Sequence, residues 1–394
     1  MHHSLFFIIV FLLTGSFLRA ENTESEFIFT CQPYLQQLSD TEVTIVWGTN
    51  KNAVSWVEVA SNDSRNFYAT ERPKFFDTNF GRKKIGTLHK IRITGLSPAT
   101  AYRYRIYSKE VTRKEHRDVR YGRIIANNIH KGKPYMFSTL NPNKQKIHFA
   151  VVNDIHEDVE RYENLFHTVD SASLDFMLLN GDMVNKMDSV GQMYRGFINA
   201  SSQLFAKSLP FYMVRGNHET RGNCSEEYIN LFPSPTQQPY YSFTCGPVCF
   251  VVLDGGEDKP DSDIEYNDLA DFDKYRTEQV EWLKKTINSE EYQKAAVHIA
   301  LIHVPPLGKT WHGILEVQSK FIPVLNEANI HLMLCGHIHR HEYYASGESI
   351  CKFPLLINSN RHILDIQADN QEIHVNMINE RGIVEKQFTF NTKY

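Results

Sequence analysis

The stretch His148-Phe-Ala-Val-Val152-Asn-Asp154-Ile-His156 reads as a buried strand that ends in two metal-type ligands. Four more segments repeat the arrangement. Phe176 to Leu179 precedes Gly181-Asp182, and Phe211 to Val214 precedes Gly216-Asn217-His218-Glu219. Ile299 to Ile302 precedes His303-Val-Pro-Pro, and Leu332 to Leu334 precedes Gly336-His337-Ile-His339. Short apolar runs rich in β-branched residues read as parallel strands covered on both faces, and α/β proteins gather their sites at the carboxyl ends of such strands. Asp, His and Asn without Cys form an oxygen and nitrogen donor set suited to Mn, Fe or Zn. Any one of these histidines alone would be read as structural. Five motifs in series, each at a strand end, read as one metal site.

Outward from this core, the composition is that of an ordinary globular protein. A chain of 394 residues is long enough for two domains, and a formal charge of −4 gives no basic signature for nucleic acid. Leu5-Phe-Phe-Ile-Ile-Val-Phe-Leu-Leu13 is too short to span a bilayer and suits the apolar core of a signal peptide. Residues 1–20 are therefore expected to be a cleaved signal ending at Ala20, although Leu18 is not the usual small residue and Met1-His-His-Ser lacks a cation. No Cys follows for lipid attachment, and nothing after residue 20 resembles a transmembrane helix. The expectation is a secreted or periplasmic protein. Export permits disulfides, and Cys224 with Cys245 or Cys249, and Cys335 with Cys351, are open pairings. Free buried thiols are an equal alternative. Asn62, Asn199 and Asn223 each begin an Asn-x-Ser sequon.

Two textures divide the mature chain. Residues 27–140 alternate apolar and polar positions, as in Val43-Thr-Ile-Val-Trp47 and Ser55-Trp-Val-Glu-Val59, which argues for half-buried antiparallel strands. Leu96-Ser-Pro-Ala-Thr-Ala-Tyr102-Arg-Tyr104 resembles the turn and paired tyrosines of a fibronectin III-like β-sandwich, one tyrosine forming a tyrosine corner. Lys109 to Lys133 is longer and more basic than such a sandwich needs and reads as a solvated hairpin. Asn141-Pro-Asn-Lys-Gln is a polar linker. From 145 to 394, strands alternate with helical stretches at Glu160 to Val169 and Thr277 to Ile287, giving an α/β domain with a β-sheet core flanked by helices. Glu257 to Asp273 holds eight acidic residues against Lys259 alone and reads as a solvated acidic loop.

The order Asp-x-His, Gly-Asp, Gly-Asn-His-Glu, lone His and Gly-His-x-His resembles the calcineurin-like metallophosphoesterase superfamily over about residues 145 to 390. The resemblance implies two divalent metal ions, with Asp154, His156 and His339 on the first, Asn217, His303 and His337 on the second, and Asp182 bridging both. It also implies a metal-bridging hydroxide that attacks phosphorus, with His218 as the general acid at the leaving oxygen. Related protein phosphatases orient this histidine with an Asp three residues after the bridging Asp. Asn185 stands there, and so His218 is expected to have a lower pKa than in those relatives. A sandwich ahead of the metal domain is also similar to purple acid phosphatases. Those enzymes carry Asp-x-Gly where this chain has His156, and a Tyr ligand where it has Asn185. Exchanging a phenolate for an imidazole lowers the ligand charge, so two divalent ions and a colourless protein are expected.

The substrate class implied is a phosphorylated small molecule or macromolecule. Phosphomonoester hydrolysis is the favoured reading, with phosphodiester or nucleotide hydrolysis at the same site as the alternative. A non-catalytic surface-binding role for the sandwich is the third. Arg221, His312, Arg340 and His341 lie near motif ends and read equally as substrate contacts or surface residues. Glu219 reads as a support for its loop.

Overall fold

The computed structural model describes residues 25–128 and 133–393, so the segment 1–20 expected to be a signal lies outside the described residues. Among the described residues, no helix is long and apolar enough to cross a membrane.

The N-terminal region is built on one long strand, Val43–Ser61. Its first part, Val43 to Thr49, pairs with Phe29–Gln36 and with Leu88 to Ile93; from Ala53, which faces Gly86, it pairs with Ala101–Glu115 and, at Trp56 to Glu58, with Lys74–Phe76. The register with Gly86–Ile93 shifts between Gly48 and Ala53, where the strand exchanges its neighbours. Residues from both halves, including Ile45, Trp47, Val57, Val59, Ile91, Tyr104 and Ile106, share one core, as alternation predicts. Trp47 is fully buried, and its indole N–H donates to Ser108 Oγ at 3.0 Å. Tyr102 Oη accepts from the Ser97 N–H at 2.8 Å, the local bond of a tyrosine corner. The basic segment forms the outer end of a hairpin, Ala101–Glu115 with Asp118–Ala126, and most of its residues from Thr112 to Arg123 are exposed.

The sandwich is fastened to the second domain by apolar contact and by paired backbone groups. Cys31, Tyr34 and Val46 belong to the same core cluster as Phe197, Phe211 and Leu231. Tyr34 stacks on Phe211 at 5.7 Å and donates to Leu231 O at 2.9 Å. Tyr104 donates to Lys207 O at 2.8 Å, and Tyr212 donates to Leu38 O at 2.9 Å. Removing residues 27–140 would uncover this apolar surface and strip the Leu231 and Lys207 carbonyls and the Tyr212 hydroxyl of these partners. The shortened chain is expected to aggregate or to lose its cooperative melt. Soluble, cooperatively melting 145–394 would contradict the bracing role.

In the second domain the five ligand-bearing strands are divided between two sheets. Lys146–Val152, Phe176–Asn180 and Phe211–Val214 run parallel in one six-stranded sheet, completed by the antiparallel strands His362–Asp369, Glu372–Asn379 and Val384–Asn391. Val248–Val252, Val297–Leu301, Leu332–Cys335 and Leu355–Ile357 run parallel in the other. Alternation sorts the side chains between layers. Ile147, Phe149 and Val151 pack against Val248, Phe250, Ile299 and Leu334 between the sheets. Ala150 and Val152 face the helix Val159–Phe166, and Cys249, Val251 and Ala300 face the helices Phe272–Ile287 and His312–Lys320. The sheet core expected from the sequence is thus two packed sheets with helices on both outer sides. Phe149, Phe176, Tyr212, Phe243 and Phe250 form the aromatic centre of the contact. All six cysteines are free thiols, five of them buried.

Candidate metal centre

Two parallel sheets facing each other bring their carboxyl ends to one edge, and the predicted ligands meet there. Asp154, His156 and His339 offer ligand atoms within 4.8 Å of one another. Asp182, His303 and His337 do the same, and Asp182 also groups with His156 and His218. Asp182 therefore lies between two clusters. His303 Nε2 is 3.0 Å from Asp182 Oδ2 and 3.7 Å from Asp154 Oδ1, and His339 Nε2 is 3.2 Å from Asp154 Oδ1. His156 and His339 bring their Nε2 atoms within 3.1 Å.

The backbone is bent sharply to achieve this. Asp154, His156, Asp182, His337 and His339 all have positive φ, between 50° and 76°. Left-handed backbone costs an L residue roughly 1–2 kcal/mol, and Asp and His tolerate it better than branched residues. Hydrogen bonds hold the turns. Asp154 Oδ2 accepts from the His337 N–H at 2.9 Å and from Asn153 Nδ2 at 2.6 Å, and Asp182 Oδ1 accepts from the His218 N–H at 3.0 Å. Gly181 has φ +82°, and a Cβ there would strike the His303 ring and the Gly216 backbone. No other residue fits.

Two observations test whether these residues suit cations. Asp154 and Asp182 are both fully buried, and Asp154 Oδ1, His303 Nε2 and His337 Nε2 are buried atoms without a hydrogen-bond partner. Burial would lower the His303 pKa, yet the two facing carboxylates outweigh it and push it up to about 10. Burial would raise Asp182, yet the same imidazole holds it well below the usual carboxylate range. The pocket is short of positive charge, which a dication supplies by displacing the histidine proton. One end of the Asn217 amide is 3.0 Å from His337 Nδ1 and 3.2 Å from Asp182 Oδ2. With its nitrogen at that end the amide donates to both atoms, and its oxygen accepts from Arg221 Nη2 at 3.0 Å. The residues fit a two-metal site.

Comparison with known proteins agrees with this geometry. Residues 147–341 match the calcineurin-like phosphoesterase family, and residues 30–120 match the purple acid phosphatase N-terminal domain. The chain carries a calcineurin-like phosphoesterase domain. Purple acid phosphatase 15 of Arabidopsis thaliana is 23% identical over 296 residues, covering 65% of this chain and 49% of its own length. Serine/threonine-protein phosphatase CPPED1 of Mus musculus is 26% identical over 176 residues, covering 42% of this chain and 53% of its own. The chain spans about half the length of these two relatives. The solved purple acid phosphatase PPD1 from yellow lupin (Lupinus luteus) seeds superposes with a TM-score of 0.65 at 15% identity, covering 91% of this chain and 74% of that one. It shares the fold.

Within the phosphoesterase domain, His218 corrects one expectation. Its Nδ1 meets the backbone carbonyl of Asn185 at 2.6 Å, not the side chain. The Asn185 amide turns away, toward Glu157 Oε1 and His156 O, at 3.3 Å each. A carbonyl only accepts, so Nδ1 carries the proton and Nε2 faces the site. The identity of residue 185 therefore does not set the orientation of His218. Asn185→Ala is expected to change turnover by only about twofold, the scale of an exposed substitution. A tenfold loss, or a displaced pH–rate profile, would restore the side chain to that role.

Glu219 joins two of the motifs. Fully buried, it accepts from the Gly216 and Asp182 N–H groups at 2.9 Å each and from the Met183 N–H at 2.8 Å. Burial, with Asp182 adding to it, pushes its carboxyl up to about 7.

The acidic run is largely exposed between Pro260 and Asp271, as expected of a solvated loop, but its first two residues depart from that expectation. Glu257 is fully buried and grips Arg221 with both oxygens at 2.6 and 2.7 Å, while Tyr266 donates to it at 2.7 Å. Asp258 lies 3.2 Å from Arg221 Nη2 and 3.5 Å from His337 Nε2. Arg221 Nη1 is in turn 3.4 Å from His218 Nε2. Asp258 is a site residue that the sequence reading missed. It follows the buried strand Val248–Val252 at a greater remove than the other motif residues follow theirs; Asp254 takes the equivalent place and pairs with Arg215. Three flagged residues lie elsewhere. His312 pairs with Asp273, His341 faces Ile357 O, and Arg340 pairs with Glu342.

Proposed function

We propose that the protein is an exported hydrolase of phosphomonoesters that uses two divalent ions, Mn, Fe or Zn. The observation that carries this reading is the overlap of three ligand clusters, Asp154–His156–His339, His156–Asp182–His218 and Asp182–His303–His337, lined by buried atoms that lack a hydrogen-bond partner. Asp154, His156 and His339 would hold one ion, Asn217, His303 and His337 the other, and Asp182 both. Bound there, the ions would supply an acidified water as nucleophile and neutralise the phosphoryl oxygens.

The chain's own residues do the rest. His218, with Nδ1–H fixed on the Asn185 carbonyl, presents Nε2 to the leaving oxygen. As an imidazolium it gives up the Nε2 proton there and remains neutral, with Nδ1–H still bonded. Such proton transfer contributes typically ~10²–10⁴-fold. Arg221 is neutralised by Glu257, so it shapes the wall beside His218 and is not a free phosphate clamp. Export rests on the segment at 1–20. The monoester preference rests on the phosphatase relatives.

The test is hydrolysis of p-nitrophenyl phosphate against bis(p-nitrophenyl) phosphate with Mn²⁺. Faster turnover of the monoester is expected. Faster turnover of the bis-ester would reassign the protein as a phosphodiesterase.

A further inference from the structure

We propose that Trp311 is the platform for the organic part of the substrate, and that preferred substrates carry a planar aromatic ring on the leaving group. The inference rests on the phosphoesterase reading and adds the substrate class. Trp311 is 45% exposed, the one tryptophan of the described residues that is open to solvent. Its ring stands perpendicular to the His337 imidazole, with centroids 5.4 Å apart. An indole left uncovered one ring-width from a metal-site histidine is surface that a bound group can cover.

The platform is held in place from below. Trp311 O accepts from the Leu315 N–H at 3.1 Å, and the Gly313 N–H donates to Asp258 O at 2.8 Å. A Cβ on Gly313 would strike the backbone of Glu257 and Asp258, so the start of the helix His312–Lys320 sits hard against the acidic segment. His312 adds a contact to Asp273 at 2.8 Å. The ring is therefore presented by rigid backbone, and little ordering is needed on binding.

Its position suits the leaving group. From His218 the contacts run through Arg221 at 3.4 Å, Asp258 at 3.2 Å and His337 at 3.5 Å to Trp311. The proton donor and the indole thus stand on one continuous wall. Lys309 Nζ lies 5.7 Å from the indole centroid, which places a cation beside the ring. A flat ring joined to phosphorus through oxygen could lie on the indole while its phosphate meets the ligand clusters. An aryl phosphate and a nucleotide both offer this chemistry.

The experiment compares kcat/KM for 1-naphthyl phosphate, adenosine 5′-monophosphate and glycerol 2-phosphate in the parent, Trp311→Ala and Trp311→Phe, with metal content measured for each. Ring stacking of this kind is worth about tenfold per ring. Trp311→Ala is expected to lose about that factor on the ring-bearing substrates only, with Trp311→Phe recovering most of it. Loss on naphthyl phosphate alone assigns the platform to aryl groups, and loss on the nucleotide alone assigns it to bases. Equal loss on glycerol 2-phosphate, with metal shed, would make Trp311 a brace for His337 and overturn the proposal. So would no loss at all. A metal-loaded parent that turns over none of the three would overturn the hydrolase reading itself.

Discussion

Asp182→Asn is expected to lower kcat/KM for a phosphomonoester by about 10³-fold or more and to reduce bound metal below two ions per chain. The change is nearly isosteric, so the loss measures charge and ligand chemistry, not shape. Asp182 alone belongs to both the His303–His337 cluster and the His156–His218 cluster, and its Oδ1 also receives the His218 N–H. An amide in its place can offer one oxygen, carries no charge, and faces His303 at 3.0 Å with a group that does not favour a nearby cation. Two-metal stabilisation of a displacement is worth several kcal/mol, and each 1.4 kcal/mol is a factor of ten in rate. Metal content by elemental analysis and steady-state kinetics on the same preparation check it. Retention of both ions with less than tenfold loss would remove Asp182 from the bridging position.

Glu219→Ala is expected to give the largest loss of stability of any single change at the site. The carboxyl accepts three short bonds, from the Asp182, Met183 and Gly216 N–H groups of two different strand ends, and a longer one from Val184 at 3.4 Å, and it is fully buried. Truncation leaves those donors facing a cavity, at about 1–3 kcal/mol for each that water fails to satisfy. A total of at least ~3 kcal/mol is expected. The same three bonds set the turn that carries Asp182 and the turn that carries Asn217 and His218. Metal affinity should therefore fall by roughly 10–100-fold, as for other groups that orient ligands. Thermal melts of the metal-free protein and a metal titration separate the two effects. A variant that melts with the parent and binds metal equally well would show that the loops hold themselves.

The clustering of these Asp and His side chains was legible in the sequence because each motif follows an apolar strand, and because glycines and left-handed-tolerant Asp and His mark the turns. The tyrosine corner was legible in the local turn from Leu96 to Tyr104. Other features depend on partners distant in sequence. The strand runs are apolar on both faces whether a helix or a second sheet covers them, so two sheets read as one. Glu257 and Asp258 carry the composition of a solvated loop, and only the arrival of Arg221 and His337 from other strand ends buries Glu257 and brings Asp258 to the site. The His218 anchor is a main-chain carbonyl, which residue identity at 185 does not encode. Trp311 was hidden because its exposure shows only in the folded chain.

The most direct test of the account is a titration of the metal-stripped protein with Mn²⁺, following p-nitrophenyl phosphate hydrolysis and bound metal together. Activity that is absent without metal and reaches its plateau at two ions per chain is the predicted result. Hydrolysis that persists in the stripped protein, or a chain holding two ions that hydrolyses no phosphoester, would contradict it.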